Sequence, residues 1–280
     1  MGGLSKKAFL TKGLAADPKQ PALIVNSGNL LFNTESLAPS NLETARVTAD
    51  GIVQATRMMG GTLAGIGTRD LAAGVAFLRQ QQKSADFTWL SLNLVDPATG
   101  KPLFTPMLLR QAGGVKIAIL ALTDHTTQNN SGEFRVIPWQ DTLQKTLDKI
   151  RPEADFVLVL SNYSLAENQE IARSCSAIDL ILQAGHVVGN MTPILIDKTL
   201  ISQTETRGKY LGVMDIDWNG HGHWDEGAAN PQSRKTGQQL STYTNRFIAL
   251  KPSVNADPEV EALIQQTQRR VDQLQKGTVR

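Results

Sequence analysis

Polar side chains follow several apolar segments of the sequence, at the points where each segment would end as a strand. Hydroxyl, amide, carboxylate and imidazole groups in such positions can hold a metal ion, and a guanidinium can hold an anion. Ligands of open α/β sheets bind at the carboxyl ends of the strands, so these positions form the candidate site. They are Asn29, Thr68, Arg69, Asp70, Thr123, Asp124, His125, Asn162 and His186.

Two further features could do chemistry. The single cysteine, Cys175, excludes an internal disulfide and a multi-cysteine metal cage, and its place after a helical pattern favours a packing role over a thiol or redox role. His221 and His223, followed by acidic residues, could bind a stray transition metal. A predicted hairpin tip offers no pocket, which argues against function there. His125 is predicted to be exposed in a polar loop.

The elements that must position these residues alternate along the chain. Apolar runs predict strands at 21–28, 62–67, 87–95, 115–124, 154–162 and 177–186. Helical spacing predicts helices at 41–59, 70–82, 138–150, 165–173 and 257–275. The segments 194–205, 210–224 and 241–252 are typical of antiparallel strands, with Asn219-Gly220 as a hairpin signal. This alternation predicts a sheet covered by helices on both faces.

Length and composition exclude several classes of protein. The 280 residues fit a single domain, which we assign to 1–280. A net charge of +2 without a basic stripe argues against nucleic-acid binding. No apolar run is long enough for a transmembrane helix, and the first residues, MGGLSKKAFL, do not resemble a signal peptide.

Sequence blocks in a fixed order carry a family resemblance. They are GGLSKKAFL, ALIVNSGNLLF, GIGTRDLAAG, the stretch from WLSLNLV to IAILALTD, VLVLSNYSLAENQEIA, IDLILQAGH and RGKYLGVMDIDW. Together they resemble the catalytic domain of the 5′-nucleotidase and UDP-sugar hydrolase family, which are calcineurin-like metallophosphoesterases, over about residues 2–275. The resemblance implies an α/β sandwich of two mixed β-sheets flanked by helices, and an activity that hydrolyses phosphoric esters.

The family's two-metal site is degenerate in this chain. That site uses an Asp-x-His pair on a first strand, a bridging Asp, an Asn beside the catalytic His, a further His and a terminal His-x-His/Gln. The resemblance places Asn29 at the bridging Asp, Thr68 at the metal-binding Asn and Arg69 at the catalytic His. Asp70 matches the acidic residue that closes the same block.

The remaining positions depart from the pattern as well. Asn162 stands at the next histidine, and Val188 stands two residues after His186, which alone matches and is a weak metal candidate. Neutral amides and a hydroxyl are poor substitutes for a bridging carboxylate, and Arg69 adds a cation. We therefore expect no cofactor. Arg69 could instead pair with Asp70 or another acid, or bind a small anion with help from backbone N–H groups of the following helix.

These departures leave three hypotheses of function. The first is a catalytically inactive relative with a binding or structural role, whose partner is a small anion or a protein. The second is a divergent phosphoesterase that uses Zn or Mn and ligands upstream of residue 1. The third is a thiol or redox protein. The resemblance also implies an extracytoplasmic, periplasmic home, an absent nucleotide-specificity domain, and a first strand lying before Met1, which would then not be the natural start.

Overall fold

The computed structural model describes residues 3–85, 87–125, 132–185, 188–206, 208–220, 224 and 240–278. The helices are α1 (Leu4–Ala15), α2 (Leu42–Met58), α3 (Val75–Ala85), α4 (Trp139–Ile150), α5 (Leu165–Ser174) and α6 (Pro258–Thr278). The strands are β1 (Leu63–Gly65), β2 (Thr88–Leu90), β3 (Leu94–Val95), β4 (Met107–Ala112), β5 (Val115–Leu122), β6 (Arg135–Val136), β7 (Phe156–Ser161), β8 (Leu180–Gln183), β9 (Met191–Ile196), β10 (Thr199–Gln203), β11 (Tyr210–Asp217) and β12 (Thr242–Ala249).

The main sheet has six strands in the order β4-β5-β7-β8-β10-β9. Its four central strands are parallel, and β4 and β9 are antiparallel edges. A second, smaller sheet pairs β1 and β2 in parallel. The pairs β3–β6 and β11–β12 are antiparallel. The carboxyl ends of the parallel strands are therefore where the polar residues singled out above must lie.

Side chains of β7 show how the layers are stacked. Phe156, Leu158 and Leu160 pack with residues of β1 and β2, between the two sheets. Val157 and Val159 point to the opposite face, where α4 and α5 cover the main sheet. Helices α2 and α3 pack on the outer face of the small sheet. The order helix, sheet, sheet, helix confirms the predicted α/β sandwich flanked by helices, with a parallel pair as the smaller sheet among the described residues.

Two predicted strands differ from the structure. Residues 21–28 form no strand, because the segment pairs with β1 only at Asn26 and then turns at Gly28, whose φ is +123°. Residues 87–95 form two short strands instead of one, because the chain leaves β2 and crosses to β5. The Leu92 N–H donates to the Ala121 carbonyl at 2.8 Å, which ties the crossing to the main sheet.

Two other local predictions are also corrected. The helix predicted over 70–82 is a 3₁₀ helix, Thr68–Ala73, followed by α3, because Gly74 at φ +88° interrupts it. Asn219-Gly220 is no tight hairpin, since β11 and β12 pair but residues 218–241 separate them. The other predicted helices agree with α2, α4, α5 and α6. Within the described ranges, every helix is too short or too polar to span a bilayer.

Candidate functional site

The strand ends meet at one edge of the sandwich. The Thr123 hydroxyl after β5 donates to the Ile66 carbonyl after β1 at 2.8 Å. The Thr68 N–H donates to Asn162 Oδ1 after β7 at 2.9 Å. The structure brings the predicted strand-end residues together through hydrogen bonds between distant parts of the chain. We call the group of Asn29, Thr68, Arg69, Asp70 and Asn162 the strand-end crevice.

Asp70 fastens the two loops that form the crevice. Its carboxylate accepts the N–H groups of Asn29 at 2.7 Å, Leu31 at 2.8 Å and Gly67 at 2.9 Å. The side chain is fully buried, and burial raises the pKa of Asp70 to about 6 although these N–H groups favour the charged form. Asp70 is thus a structural carboxylate, and both of its oxygens are engaged.

Asn29 closes the crevice towards β8. Its φ of +55° lies in the left-handed region, which asparagine tolerates better than most residues. Its Oδ1 accepts the Arg69 N–H at 3.0 Å, and its Nδ2 donates to the Ala184 carbonyl at 3.1 Å. A carboxylate here would place an oxygen against the Ala184 carbonyl, so this hydrogen-bond pattern specifies an amide.

Asn162 differs from Asn29 in the hydrogen bonding of its amide nitrogen. It is 3% exposed, and its Oδ1 accepts the Thr68 N–H, which fixes the orientation of the amide. Its Nδ2 is buried and has no hydrogen-bond partner among the described residues. A buried amide nitrogen without a partner is costly, about 1–3 kcal/mol, and calls for an explanation.

Arg69 does not pair with Asp70. Among the described residues, the Arg69 N–H donates to Asn29 Oδ1, and the half-buried side chain of Arg69 forms no ion pair or hydrogen bond. The ion pair considered from the sequence is therefore wrong for Asp70. The expected help from backbone N–H groups is wrong too, because those of Thr68, Arg69 and Asp70 already donate to Asn162, Asn29 and Gly67.

Close backbone contacts hold the crevice together. A Cβ on Gly67 would lie 2.3 Å from Asn29 Oδ1 and 2.5 Å from Asn29 N. A Cβ on Gly185 would lie 2.1 Å from the Asn162 carbonyl oxygen. Both glycines are required by close approach, and both stand at strand ends.

Sequence reasoning singled out Thr123 but missed the buried polar cluster that it forms below the crevice with Ser91, Asn93 and Tyr163. Asn93 Nδ2 donates to the carbonyls of Thr123 at 2.8 Å and Ile137 at 2.9 Å, while its Oδ1 accepts the Thr123 N–H at 2.8 Å. Burial is the main cause that raises the pKa of Tyr163. The signal was available, since Ser91 and Asn93 interrupt the second half of the apolar run 87–95.

The described residues do not fit the family's two-metal site. The side-chain oxygens of Asn29, Asn162 and Asp70 each accept at least one backbone N–H group, which fixes their directions and leaves fewer lone pairs for a cation. The described ranges contain no group of three or more His, Cys, Asp or Glu side chains arranged for a metal. His186, as well as His221 and His223, lies outside the described residues.

Two other predicted positions are described. His125 is exposed, as predicted. Cys175 is 2% exposed in the core beside α5, where burial raises the pKa of its thiol to about 11. A thiol that is neutral and shielded is a poor nucleophile, so the structure argues against the redox hypothesis as far as Cys175 is concerned.

Comparisons with known proteins agree with this architecture. No protein-family profile matches the chain. Protein UshA of Yersinia enterocolitica is 28% identical over 190 residues, which are 54% of this chain and 34% of that protein. The chain thus spans about a third of the length of this relative.

Solved structures resemble the fold over nearly the whole chain. The sulfate thiohydrolase SoxB of Thermus thermophilus has a TM-score of 0.77 at 19% identity, over 95% of this chain and 46% of that one. A 5′-nucleotidase precursor from the same species gives 0.74 at 16% identity, over 96% and 53%. The calcineurin-like phosphoesterase YfkN of Bacillus subtilis gives 0.73 at 17% identity, over 98% and 90%. UshA is thus a distant sequence relative of part of the chain, and the solved structures show that the chain has the fold of calcineurin-like phosphoesterases and 5′-nucleotidases.

Proposed function

We propose that this protein is a catalytically inactive member of its family, with a binding role at the strand-end crevice. The observation that supports the proposal is the engagement of the acceptor oxygens of Asn29, Asp70 and Asn162 by backbone N–H groups. These hydrogen bonds fix the directions of the oxygens, so a metal ion would have to use their second lone pairs as they stand, or displace an N–H group at a cost of about 1–3 kcal/mol.

Charge reinforces the argument. Two divalent ions about 3.5–4 Å apart repel each other, and a bridging carboxylate offsets that repulsion in two-metal sites. Asn29 supplies a neutral amide in that position. Arg69 supplies a fixed cation beside it, which disfavours a metal further. Without metals, the crevice would lack both an activated water and a charge clamp on a phosphoryl group.

Metal content and hydrolysis measured on one preparation test the proposal. We expect less than one tightly bound divalent ion per chain by elemental analysis after purification without chelator. We also expect no hydrolysis of 5′-nucleotides, UDP-sugars or p-nitrophenyl phosphate above a mock preparation, with or without added Mn²⁺ or Zn²⁺. Two ions per chain would contradict the proposal. So would a turnover of about 1 s⁻¹ that is lost in His186→Ala.

The alternative is a divergent phosphoesterase that binds Zn or Mn. It is favoured by the structural likeness to a 5′-nucleotidase precursor and a calcineurin-like phosphoesterase. Asn29→Asp separates the two. A latent metal site would gain affinity from the new carboxylate, so Mn²⁺ would stabilise this variant more than the wild type. The non-catalytic proposal expects a variant that is less stable and unresponsive to Mn²⁺, because the carboxylate faces the Ala184 carbonyl.

Two further statements complete the proposal. An extracytoplasmic location is supported by the family, and fractionation of native cells with antibodies would test it. A single domain over 1–280 is supported by the continuous packing of the layers. The side chains of β7 contribute both to the core between the two sheets and to the core beneath α4 and α5. One cooperative transition in chemical denaturation, identical by tryptophan fluorescence and circular dichroism, would be the expected outcome.

A further inference from the structure

A row of buried polar side chains crosses the main sheet from β7 to β10. The Ser161 hydroxyl at the end of β7 donates to Asn168 Oδ1 on α5 at 2.5 Å. Asn168 Nδ2 donates to Gln183 Oε1 on β8 at 3.1 Å, and Gln183 Nε2 donates to Gln203 Oε1 on β10 at 3.1 Å. None of the four side chains is more than 8% exposed. We call these four residues the buried relay.

The far end of the relay reaches the loop that follows β8. Gln203 Nε2 donates to the Gly189 carbonyl at 3.0 Å and to the Val188 carbonyl at 3.4 Å. Side-chain packing gives these two residues little support, since Val188 is 92% exposed and a Cβ on Gly189 would meet nothing within 4 Å. Asn190 Oδ1 accepts the Glu205 N–H at 2.8 Å. Hydrogen bonds from the end of β10 therefore hold this loop where apolar contacts do not.

The relay has one direction, and both of its ends impose it. The loop carbonyls can only accept, so Gln203 must turn its N–H₂ side towards them. At the near end, the Tyr163 carbonyl accepts Asn168 Nδ2 at 2.9 Å, which turns Asn168 Oδ1 towards Ser161. Gln183 can satisfy both neighbours only with its oxygen on Asn168 and its nitrogen on Gln203. Turning one amide round would bring two acceptors or two donors face to face.

This direction makes each link depend on the one before it. Buried hydrogen bonds that run in the same direction polarise one another. Because Gln183 engages the oxygen of Gln203, the Gln203 nitrogen is left for the loop. We propose that the buried relay is a positioning device, which fixes the loop at residues 188–190 from the end of β7 and acts on it through Gln203. The inference goes beyond the proposed function and does not depend on it.

The near end of the relay adjoins the strand-end crevice. Ser161 directly precedes Asn162, and the Ser161 carbonyl accepts the Ala184 N–H at 2.8 Å. Its Oγ also accepts the Tyr163 N–H at 3.2 Å. The turn after β7 is thus fastened on both sides of Ser161, which gives the relay a fixed starting point. The relay joins the wall of the crevice to the loop after β8.

Hydrogen–deuterium exchange of the full chain, followed by mass spectrometry, tests the device. Gln203→Met and Gln183→Met keep the length of the side chain and remove its polar atoms. Gln203→Met should speed exchange in peptides covering residues 188–192 by about two- to tenfold, the factor that corresponds to one net hydrogen bond. Gln183→Met should speed it by about twofold or more, although the described hydrogen bonds of Gln183 go to Asn168 and Gln203 and not to the loop. Peptides from α2 are the internal reference, because a global loss of stability would speed exchange there as well.

Gln81→Met is the matched control. Gln81 is a buried glutamine outside the relay, 2% exposed, whose Nε2 donates to Asp50 at 3.0 Å. It should leave exchange at residues 188–192 unchanged. If Gln81→Met speeds exchange in the loop as much as Gln183→Met does, or if the loop and α2 respond by the same factor, the effect is a global loss of stability and the inference is overturned.

Two further outcomes complete the test. Loop exchange at the wild-type rate in either Gln203→Met or Gln183→Met also overturns the inference. Circular dichroism melts establish that the variants fold. If Gln203→Met does not fold, Gln203→Asn carries the test, because its amide is one methylene shorter and withdraws from the loop carbonyls.

Discussion

Asn93 and Asn162 are both buried asparagines near strand ends, and they are used in opposite ways. The Asn93 amide nitrogen donates to the carbonyls of Thr123 and Ile137, and its oxygen accepts the Thr123 N–H. In Asn162, only the oxygen has a partner among the described residues, the Thr68 N–H. Asn168, which follows on α5, behaves like Asn93, since its amide donates to Tyr163 and Gln183 and accepts from Ser161.

The difference separates buried amides that hold the fold together from one that keeps an unused hydrogen-bond donor. Satisfied amides such as Asn93 hold segments of chain together and have no capacity left for a ligand. Asn162 keeps an amide N–H₂ group for which the described residues supply no partner. Four experiments test this contrast between fully and partly hydrogen-bonded polar groups.

The largest effect is expected from truncating the two asparagines themselves. Asn93→Ala removes three hydrogen bonds and leaves a buried N–H and two carbonyls without partners, so we expect a loss of about 3–5 kcal/mol in the free energy of unfolding. Asn162→Ala strands the Thr68 N–H but also removes the unsatisfied Nδ2, so we expect about 1 kcal/mol. Urea denaturation measures both. Equal losses would show that Asn162 is as structural as Asn93.

The next effect concerns pH and Asp70. Its pKa of about 6 in the folded state lies above the ordinary aspartate pKa of 3.8, so the folded state holds the proton more tightly. The resulting stability is complete below about pH 4 and is lost as the pH rises through 6, by about 3 kcal/mol at most. Asp179 also has a raised pKa, mainly through burial, and acts in the same direction.

Asp70→Asn isolates that contribution. The free energy of unfolding should fall more steeply between pH 4 and pH 7 in the wild type than in Asp70→Asn, since Asp179 is common to both. Parallel pH profiles would mean that the N–H groups around Asp70 outweigh its burial.

A smaller effect should follow from filling the close contact at Gly67. Gly67→Ala would push its methyl group against the Asn29 backbone, and we expect about 2 kcal/mol of destabilisation. Gly13→Ala in α1 is the control, because its added Cβ meets nothing within 4 Å and alanine favours a helix. Thermal melts should move down for the first variant and slightly up for the second. An unchanged melting temperature in Gly67→Ala would show that the crevice loops yield easily.

The smallest effect is expected for Arg69, whose side chain has no ion-pair or hydrogen-bond partner among the described residues. Arg69→Gln should change stability by less than about 0.5 kcal/mol. Arg151→Gln should cost more, because Arg151 pairs with the buried Asp179 at 2.5 Å and its loss strands a buried carboxylate. Urea denaturation of both variants provides the comparison. A large loss in Arg69→Gln would reveal a structural role that the described contacts do not contain.

The sequence alone determined the layered architecture and the residue types at the strand ends. Continuous apolar runs can be buried only between layers, so the alternation with helical patterns predicted the sandwich that β7 displays. The order of the polar residues after those runs placed Asn29, Thr68, Arg69, Asp70 and Asn162 at one edge. Their chemical types predicted a degenerate two-metal site, and that stays a prediction.

Only the tertiary structure decided what each polar atom does. The partners of Asn29 and Asn162 lie far away in sequence, on Ala184 and Thr68, and no local pattern encodes such pairs. Asp70 illustrates the same point, because its carboxylate serves the backbone of Asn29 and Leu31 instead of the adjacent Arg69. A hydrogen bond depends on distance and direction within a few tenths of an ångström. Packing of the two sheets sets those distances. The sequence therefore could not reveal that Asn162 Nδ2 lacks a hydrogen-bond partner among the described residues.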